Sequence, residues 1–517
     1  MKKSREVLTH RFLFLGSTLI FLCSCANKKV SKNIESNRPN IIFFFTDDQA
    51  YDTQKAYGNP NVKTPYMDSL ADKGTVFMRH YNTTAICMAS RANVMTGQYE
   101  YKTGCNFDHG PLGTEQWLDS YPVHLKKSGY RVGFGGKFGF SVSDDTLNVG
   151  EEGEVAQHYF DFWVGNPGQT SYTTSQNKTL TKYAQKYPHS TRAYGAATID
   201  FIRESVIKDQ PFCMSLFFKA PHRPVQPDPI FDTVYRNTDF RKLPNYGRRA
   251  GEHLALQSRM GRQYPRFMEW GYDKEESYQH ALRKYNQLIY GVDYAIGMVL
   301  EELKKLKIDD NTIIIFSSDN GYFNGSHGLG SKVLPYEEGT RVPMIIVDPR
   351  IEKGKEIKKT NSLSGNVDIA ATILDIAGIE IPSVYDGKSL LPLLQNPNKH
   401  VRKSLPIIQV WGSNATHCLT VMDEEYKYIY WYYENKDEKI VASEELFNIK
   451  DDPYEMINLA NQPNYEFPLA KMRTLYDQQL DHWKKEGVKS NGYGQYGVLF
   501  DRGMTWEEKM LITNNKQ

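Results

Sequence analysis

Two pairs of neighbouring polar residues, Asp47-Asp48 and Asp319-Asn320, stand in equivalent settings far apart in the chain. The first follows Ile41-Ile42-Phe43-Phe44-Phe45-Thr46 and the second follows Thr312-Ile313-Ile314-Ile315-Phe316-Ser317-Ser318. Continuous apolar runs of this length mark strands buried on both faces of a parallel sheet. Open α/β sheets place their ligands beyond the carboxyl ends of such strands. Asp47, Asp48, Asp319 and Asn320 form an all-oxygen donor set, which suits a hard divalent cation such as calcium or magnesium. Either pair alone is as well explained by a turn or a helix cap, so the weight lies in the repetition. A third group is Cys87-Met88-Ala89-Ser90-Arg91, followed by Ala92-Asn93-Val94-Met95-Thr96-Gly97. A helix beginning at Cys87 carries Arg91 on the same face one turn on, and a helix start favours an anion. By itself that arrangement is also the description of a partly buried thiol beside an arginine.

Strands and helices must alternate to hold these residues together. Phe212 to Phe218 and Met344 to Val347 are further strand candidates. Leu282, Tyr285, Leu288, Ile289, Val292, Ile296, Val299, Leu300, Leu303 and Leu306 recur at helical spacing. A second helix is expected from Asp368 to Ala377, ended by Gly378. Alternation of this kind predicts an α/β sandwich. Beyond Pro397 the aromatic run Tyr426 to Tyr433 and the turn-rich Asn448 to Pro453 predict a small antiparallel sheet, followed by a helix from about Pro468 to Lys485. The expected organisation is a catalytic domain over 39–400, an α+β subdomain over 401–485 and a tail over 486–517.

The Cys87 segment with its following Met95-Thr96-Gly97-Gln98 resembles the signature of the formylglycine-dependent (type I) sulfatases, in the alkaline phosphatase superfamily. Four further blocks follow in the order expected for that family. They are Phe134-Gly135-Gly136-Lys137, then Lys219-Ala220-Pro221-His222-Arg223-Pro224, then Lys332 with Tyr336 to Pro343, and finally Glu445-Leu446-Phe447-Asn448 to Leu459. Taken singly, His222 reads as a loop histidine between prolines, and Lys137 and Lys332 as solvated side chains. The resemblance covers most of the chain and implies an alkaline phosphatase-like fold: a large, mixed, mostly parallel sheet sandwiched by helices, with a smaller C-terminal subdomain of antiparallel sheet plus helix.

What the resemblance implies for chemistry is hydrolysis of a sulfuric ester. Cys87 would be oxidised to formylglycine by a maturation enzyme, and one hydroxyl of its hydrate would attack sulfur. Asp47, Asp48, Asp319 and Asn320, with the modified Cys87, would hold calcium, while Arg91, Lys137 and Lys332 supply fixed positive charge. His222 would protonate the departing alcohol. The second hydroxyl would then expel sulfate by re-forming the aldehyde. The chain departs from the family at one position. A histidine usually stands two places after the first lysine, and here Gly139 stands there. The base for sulfate release is then a water, or another histidine such as His327 or His109. His327 is also a candidate for substrate binding, and His417 for reaching the pocket.

A sulfated polysaccharide, or an oligosaccharide from one, is the expected substrate. Tyr and Trp residues, 34 and 7 of them, can stack on sugar faces. An insertion over Asn237 to Tyr278 carries Arg241, Arg248, Arg249, Arg259, Arg262 and Arg266, a basic stretch able to attract a polyanion. Three other readings remain: a phosphate or phosphonate monoester hydrolase of the same superfamily, a cysteine hydrolase using Cys87 and His222, and a non-catalytic glycan-binding surface protein.

The amino-terminal segment reads as an address. Lys2, Lys3, Arg5 and Arg11 precede an apolar run, Phe12 to Leu22, too short to span a bilayer, which takes about 20 residues. Leu22-Cys23-Ser24-Cys25 resembles a bacterial lipobox, so 1–24 is expected to be a signal peptide, Cys25 the lipidated residue and 25–38 a tether. The protein is then exported and membrane-anchored. Of six cysteines, Cys87, Cys105, Cys213 and Cys418 remain, too few and too dispersed for a disulfide framework in a chain of 517 residues. The 63 basic and 61 acidic residues leave a net charge of +2, and no arginine stripe marks a nucleic-acid partner.

Overall fold

The computed structural model describes residues 38–144, 154–352, 354–355, 357–396 and 398–514. The leader and Cys25 lie outside the described residues. Residues 39–517 form one compact unit. Its strands, in chain order, are β1 (Asn40–Asp47), β2 (Thr75–Phe77), β3 (His80–Tyr81), β4 (Arg131–Lys137), β5 (Phe162–Asn166), β6 (Phe212–Pro221) and β7 (Thr312–Ser318). There follow β8 (Met344–Val347), β9 (Lys359–Thr360), β10 (Ser364–Gly365), β11 (Leu405–Gln409), β12 (Cys418–Met422), β13 (Tyr426–Trp431) and β14 (Ser443–Asn448).

Eight of them make one mixed sheet in the order β5-β4-β6-β1-β7-β8-β2-β9. The central strands are parallel, and β8 runs antiparallel to β7 and β2. Because side chains alternate along a strand, β1 feeds two cores at once. Ile41, Phe43 and Phe45 pack on one face with the helices Cys87–Thr96, Tyr121–Lys127 and Asp368–Ile376. Ile42 and Phe44 pack on the other with Ser190–Ile207 and Glu275–Leu306. Each isoleucine and phenylalanine here is fully buried, worth about 1.5–3 kcal/mol apiece relative to exposure.

The mixed sheet, the flanking helices and the C-terminal antiparallel sheet agree with the fold expected from sequence. The helix expected from Leu282 onward runs Glu275–Leu306, and the last long helix runs Glu466–Glu486. The four-stranded sheet β11-β12-β13-β14 is antiparallel throughout. Its residues share a core with Tyr81 of β3, Tyr101 of the helix Glu100–Thr103, and the loop residues Phe323 and Tyr336. The expected boundary near residue 400 falls between the helix Leu391–Gln395 and β11. The tail also enters this core, where Tyr493, Tyr496 and Phe500 are buried and Tyr493 donates to Glu100 at 2.6 Å. Among the described residues no helix is long and apolar enough to cross a membrane. Cys87, Cys105, Cys213 and Cys418 are all free and buried.

Candidate active site

Register assembles the site. β1 pairs β7 in parallel with Thr46 opposite Ser318, so the next residues of each strand, Asp47-Asp48 and Asp319-Asn320, emerge side by side. β6 lies on the other side of β1 and ends at Pro221, which delivers His222. β4 lies beyond β6 and ends at Lys137. Four adjacent parallel strands thus present their carboxyl ends to one spot. Gly136 makes the approach of β4 possible, since a Cβ there would stand 1.8 Å from the Phe217 carbonyl oxygen.

Cys87 reaches the same spot from a different element. It is the first residue of the helix Cys87–Thr96, every residue of which is buried, so its side chain sits at the positive end of the helix dipole. Cys87 Sγ is 3.2 Å from Asp47 Oδ1 and 2.7 Å from Lys332 Nζ. Arg91, one turn on and fully buried, places Nε 2.8 Å from Asp319 Oδ2 and Nη2 3.7 Å from Asp47 Oδ2. Lys137 Nζ bonds Asp47 Oδ2 at 2.6 Å, and Lys332 bonds Asp48. Asn320 Nδ2 approaches Asp319 Oδ1 at 2.7 Å and Asp48 Oδ1 at 3.2 Å. Ligand atoms of Asp47, Asp48, Cys87 and Asp319 all lie within 4.8 Å of one another.

Three carboxylates therefore face three cations in a buried cluster, and the charge is balanced. Burial opposes ionisation of Asp47, yet Lys137, His222, Arg91 and Lys332 together hold it well below the ordinary carboxylate value. Asp319 is pushed up to about 6, by burial and then by Asp47. The Cys87 thiol is pushed up to about 12 by burial and Asp47, which outweigh the two lysines. That disfavours the thiolate a cysteine hydrolase needs. His222 Nδ1 meets the Arg223 carbonyl at 2.5 Å, leaving Nε2 to face Asp48 Oδ2 at 3.8 Å. Burial draws its pKa down to about 4, against the pull of Asp47 and Asp48. Tyr172 fixes the segment by donating to the His222 carbonyl at 2.7 Å.

Asp48, Cys87, Lys137, His222 and Lys332 form the floor of a cavity of about 570 Å³, lined also by Arg262, Arg266, Trp270, Trp411 and Phe107, and Asp47, Arg91, Asp319 and Asn320 are bonded to that floor from the buried side. The structure thus brings together Asp47, Asp48, Cys87, Arg91, Lys137, His222, Asp319, Asn320 and Lys332. It does not bring the other histidines. His327 is buried away from this cavity, with Nε2 3.0 Å from Asn245 Nδ2 and Nδ1 3.3 Å from the Ala250 carbonyl. His109 has both ring nitrogens on carbonyls, Asn491 at 2.8 Å and Val410 at 3.0 Å. His417 is buried against Tyr496. Neither the expectation of His327 as a substrate contact nor that of His327 or His109 as a base has geometric support, because packing commits all three rings elsewhere.

Gly139 is closed to a side chain. Its φ is +90°, and a Cβ would meet Arg91 Cδ at 2.6 Å. Gln169, Trp270, Tyr322, Ser331 and Trp411 line the cavity without a local signal in the sequence, and Arg223 joins them from the Lys219–Pro224 block. Arg262 and Arg266 carried one, the positive charge of the insertion over Asn237 to Tyr278.

The sheet and the ligand-bearing strand ends define an alkaline phosphatase-like hydrolase. Residues 39–379 match the sulfatase family model, and residues 325–483 match the model for the C-terminal region of N-sulphoglucosamine sulphohydrolase. The chain belongs to the sulfatase family and is a sulfuric ester hydrolase. It is 27% identical to an N-acetylglucosamine-6-O-sulfatase of Bacteroides thetaiotaomicron, over 94% of this chain and 93% of the relative. A solved structure of a protein in complex with its substrate D-glucosamine-2-N,6-O-disulfate superposes with a TM-score of 0.70 at 25% identity, covering 88% of this chain and 99% of that one. A phosphonate monoester hydrolase of Agrobacterium radiobacter shares the fold with a TM-score of 0.66 at 20% identity, covering 87% of this chain and 96% of that one, a likeness of fold alone.

Proposed function

We propose that the protein removes sulfate from sulfated carbohydrates, using Cys87 after its conversion to formylglycine and a calcium ion held by Asp47, Asp48, Asp319 and Asn320. The observation that carries this reading is the clustering of Asp47, Asp48, Asp319 and Cys87 within 4.8 Å, with Asn320 bonded to Asp48 and Asp319, where Asp48 and Cys87 open onto the cavity. The donor set fits a hard cation. Asn320 Oδ1 is buried with no hydrogen-bond partner, and a half-turn of the amide, whose two ends are nearly indistinguishable, exchanges it with Nδ2 beside Asp48 and Asp319. Calcium bound there would offset the carboxylate charge and polarise a sulfate oxygen. Formylglycine hydrate would supply an oxygen nucleophile that a cysteine lacks.

The chain's own residues do the rest. Lys137 and Lys332 put positive charge on the floor where a sulfate must come to rest. Arg91 ties Asp319 and Asp47 into one frame. His222, with its Nδ1–H held by the Arg223 carbonyl, turns Nε2 to the cavity beside Asp48; only as the imidazolium does it carry a proton there, and that is the form that would give a proton to the departing alcohol. Gly139 supplies no second base, and no other histidine lines the cavity among the described residues. The proton released with sulfate therefore passes to His222 or to water.

A sugar substrate is supported by the aromatic walls Trp270 and Trp411 and by the glycan-acting relative. The test is sulfate release from sulfated oligosaccharides and from an aryl sulfate, with an aryl phosphate in parallel. The protein used must carry formylglycine at position 87, seen as a peptide about 18 Da lighter than with cysteine. Faster phosphate than sulfate release favours the phosphohydrolase reading, and binding without turnover favours the glycan-binding one. We also propose export and lipid anchoring through Cys25; loss of fatty-acid labelling in Cys25→Ser checks it.

A further inference from the structure

Three guanidinium groups, Arg223, Arg262 and Arg266, line the cavity above its floor. The three buried cations of the floor already match its three carboxylates, so these arginines are surplus to that balance. None of them has a carboxylate within salt-bridge distance among the described residues, and the one side-chain hydrogen bond they make is Arg266 to Ser331 Oγ at 3.1 Å. Of the two acids in the lining, Asp48 is bonded to Lys332 and Asp108 accepts from the Gly412 N–H at 2.7 Å. Unpaired arginines crowded together repel one another, and burial followed by Arg266 draws the Arg262 pKa down to about 10.

Aromatic rings hold them in place. Arg262 lies 3.9 Å over Trp411, while Arg266 and Arg223 lie 4.7 and 4.3 Å over Trp270. Stacking occupies the face of a guanidinium and leaves its in-plane N–H groups free, the geometry that takes an oxyanion through two bonds. The cavity, about 570 Å³, has the capacity of a site for a ligand larger than one sulfate group.

We propose that Arg262 and Arg266, seated on Trp411 and Trp270, form a second anion subsite that selects carbohydrates bearing, besides the sulfate that is cleaved, a further sulfate or carboxylate on the same or the adjoining sugar. This rests on the sulfated-carbohydrate reading above and narrows it to polyanionic substrates.

The test uses three disaccharides of one backbone: one with a single sulfate, one with a second sulfate, and one with a uronic carboxylate instead. The formylglycine-bearing protein is expected to favour one of the doubly anionic compounds by about ten- to hundredfold in kcat/KM, the range of one or two charge-assisted hydrogen bonds. Which of the two is favoured separates sulfate from carboxylate. Arg262→Gln with Arg266→Gln should bring that ratio near one, mainly through KM, with Arg262→Lys intermediate. Calorimetric titration of Cys87→Ser protein with the same compounds reads the subsite without turnover. No preference in either experiment, or a preference that survives the double variant, overturns the proposal. Turnover of the singly sulfated compound without preference leaves the sulfatase reading standing and sinks only the subsite.

Discussion

Gly139→Ala is the sharpest probe of how the site is held. The backbone at this position has φ of +90°, and the new Cβ would stand 2.6 Å from Arg91 Cδ and 3.4 Å from Lys137 Cε. Arg91 cannot swing away cheaply, because its Nε is bonded to Asp319 at 2.8 Å and its Nη1 to the Lys137 carbonyl. A left-handed conformation costs a residue with a Cβ about 1–2 kcal/mol, and overpacking adds about 1–3 kcal/mol. The sum is about 2–5 kcal/mol. For a chain of this size the unfolding entropy is on the order of 1 kcal/mol per degree, so the melting temperature should fall by about 2–5 °C. Activity should fall further than stability, since displacing Arg91 loosens both Asp319 and Asp47; the loss of one charge-assisted bond is worth about ten- to hundredfold. Gly139→His, which restores the residue common in the family, should be worse rather than better. Differential scanning calorimetry and sulfate release on mass-verified protein measure both. A Gly139→His variant of unchanged melting temperature and raised kcat would refute the reasoning.

Calcium added after chelation should raise the melting temperature of the wild type, by about 2.7 kcal/mol of stability at a hundredfold excess over Kd. Asp47→Asn should lose that rise, and a rise of equal size in the variant would place the ion elsewhere. Asp293 accepts from the Met67 and Tyr66 N–H groups at 2.7 and 3.3 Å, and burial lifts its pKa from 3.8 to about 7. The folded state therefore binds its proton more tightly, and stability is lost as pH rises from about 4 to 7. Asp293→Asn should match the wild type near pH 4 and exceed it near pH 8; an equal difference at both values in thermal melts would count against this. Lys427, fully buried, bonds Glu337 at 2.8 Å and Glu455 at 2.7 Å. Lys427→Met should cost about 3–5 kcal/mol by stranding a buried charge, and adding Glu337→Gln should recover part of it. No recovery in denaturant melts would mean that packing, rather than charge, is what was lost.

The strands that are apolar throughout, β1 and β7, were legible because burial on both faces leaves no polar residue to blur them. The carboxylates were legible for the same reason, each pair closing such a run. β4 was not read as a strand. Gly133, Gly135 and Gly136 weaken strand propensity, and their reason is tertiary: a Cβ at Gly133 would meet Met214 Sδ at 2.7 Å, and one at Gly136 the Phe217 carbonyl. The cavity walls were hidden differently. Phe107, Trp270 and Trp411 come from loops with no shared period, so only folding brings them together. The basic insertion showed its charge but not its allotment. Arg248 spends its guanidinium on the Gly328 and Tyr264 carbonyls, 2.7 and 2.6 Å away, whereas Arg262 and Arg266 face the cavity.

Cys87 is 3% exposed, and the carboxylates that surround it come from segments more than 200 residues apart in the chain. Such long loops close late. An oxidising catalyst large enough to be a protein cannot thread its own reactive centre down to that sulfur once the walls have formed. The conversion proposed for Cys87 would then have a fixed schedule: it would come while the polypeptide is still open, and a molecule that folds first would keep its thiol.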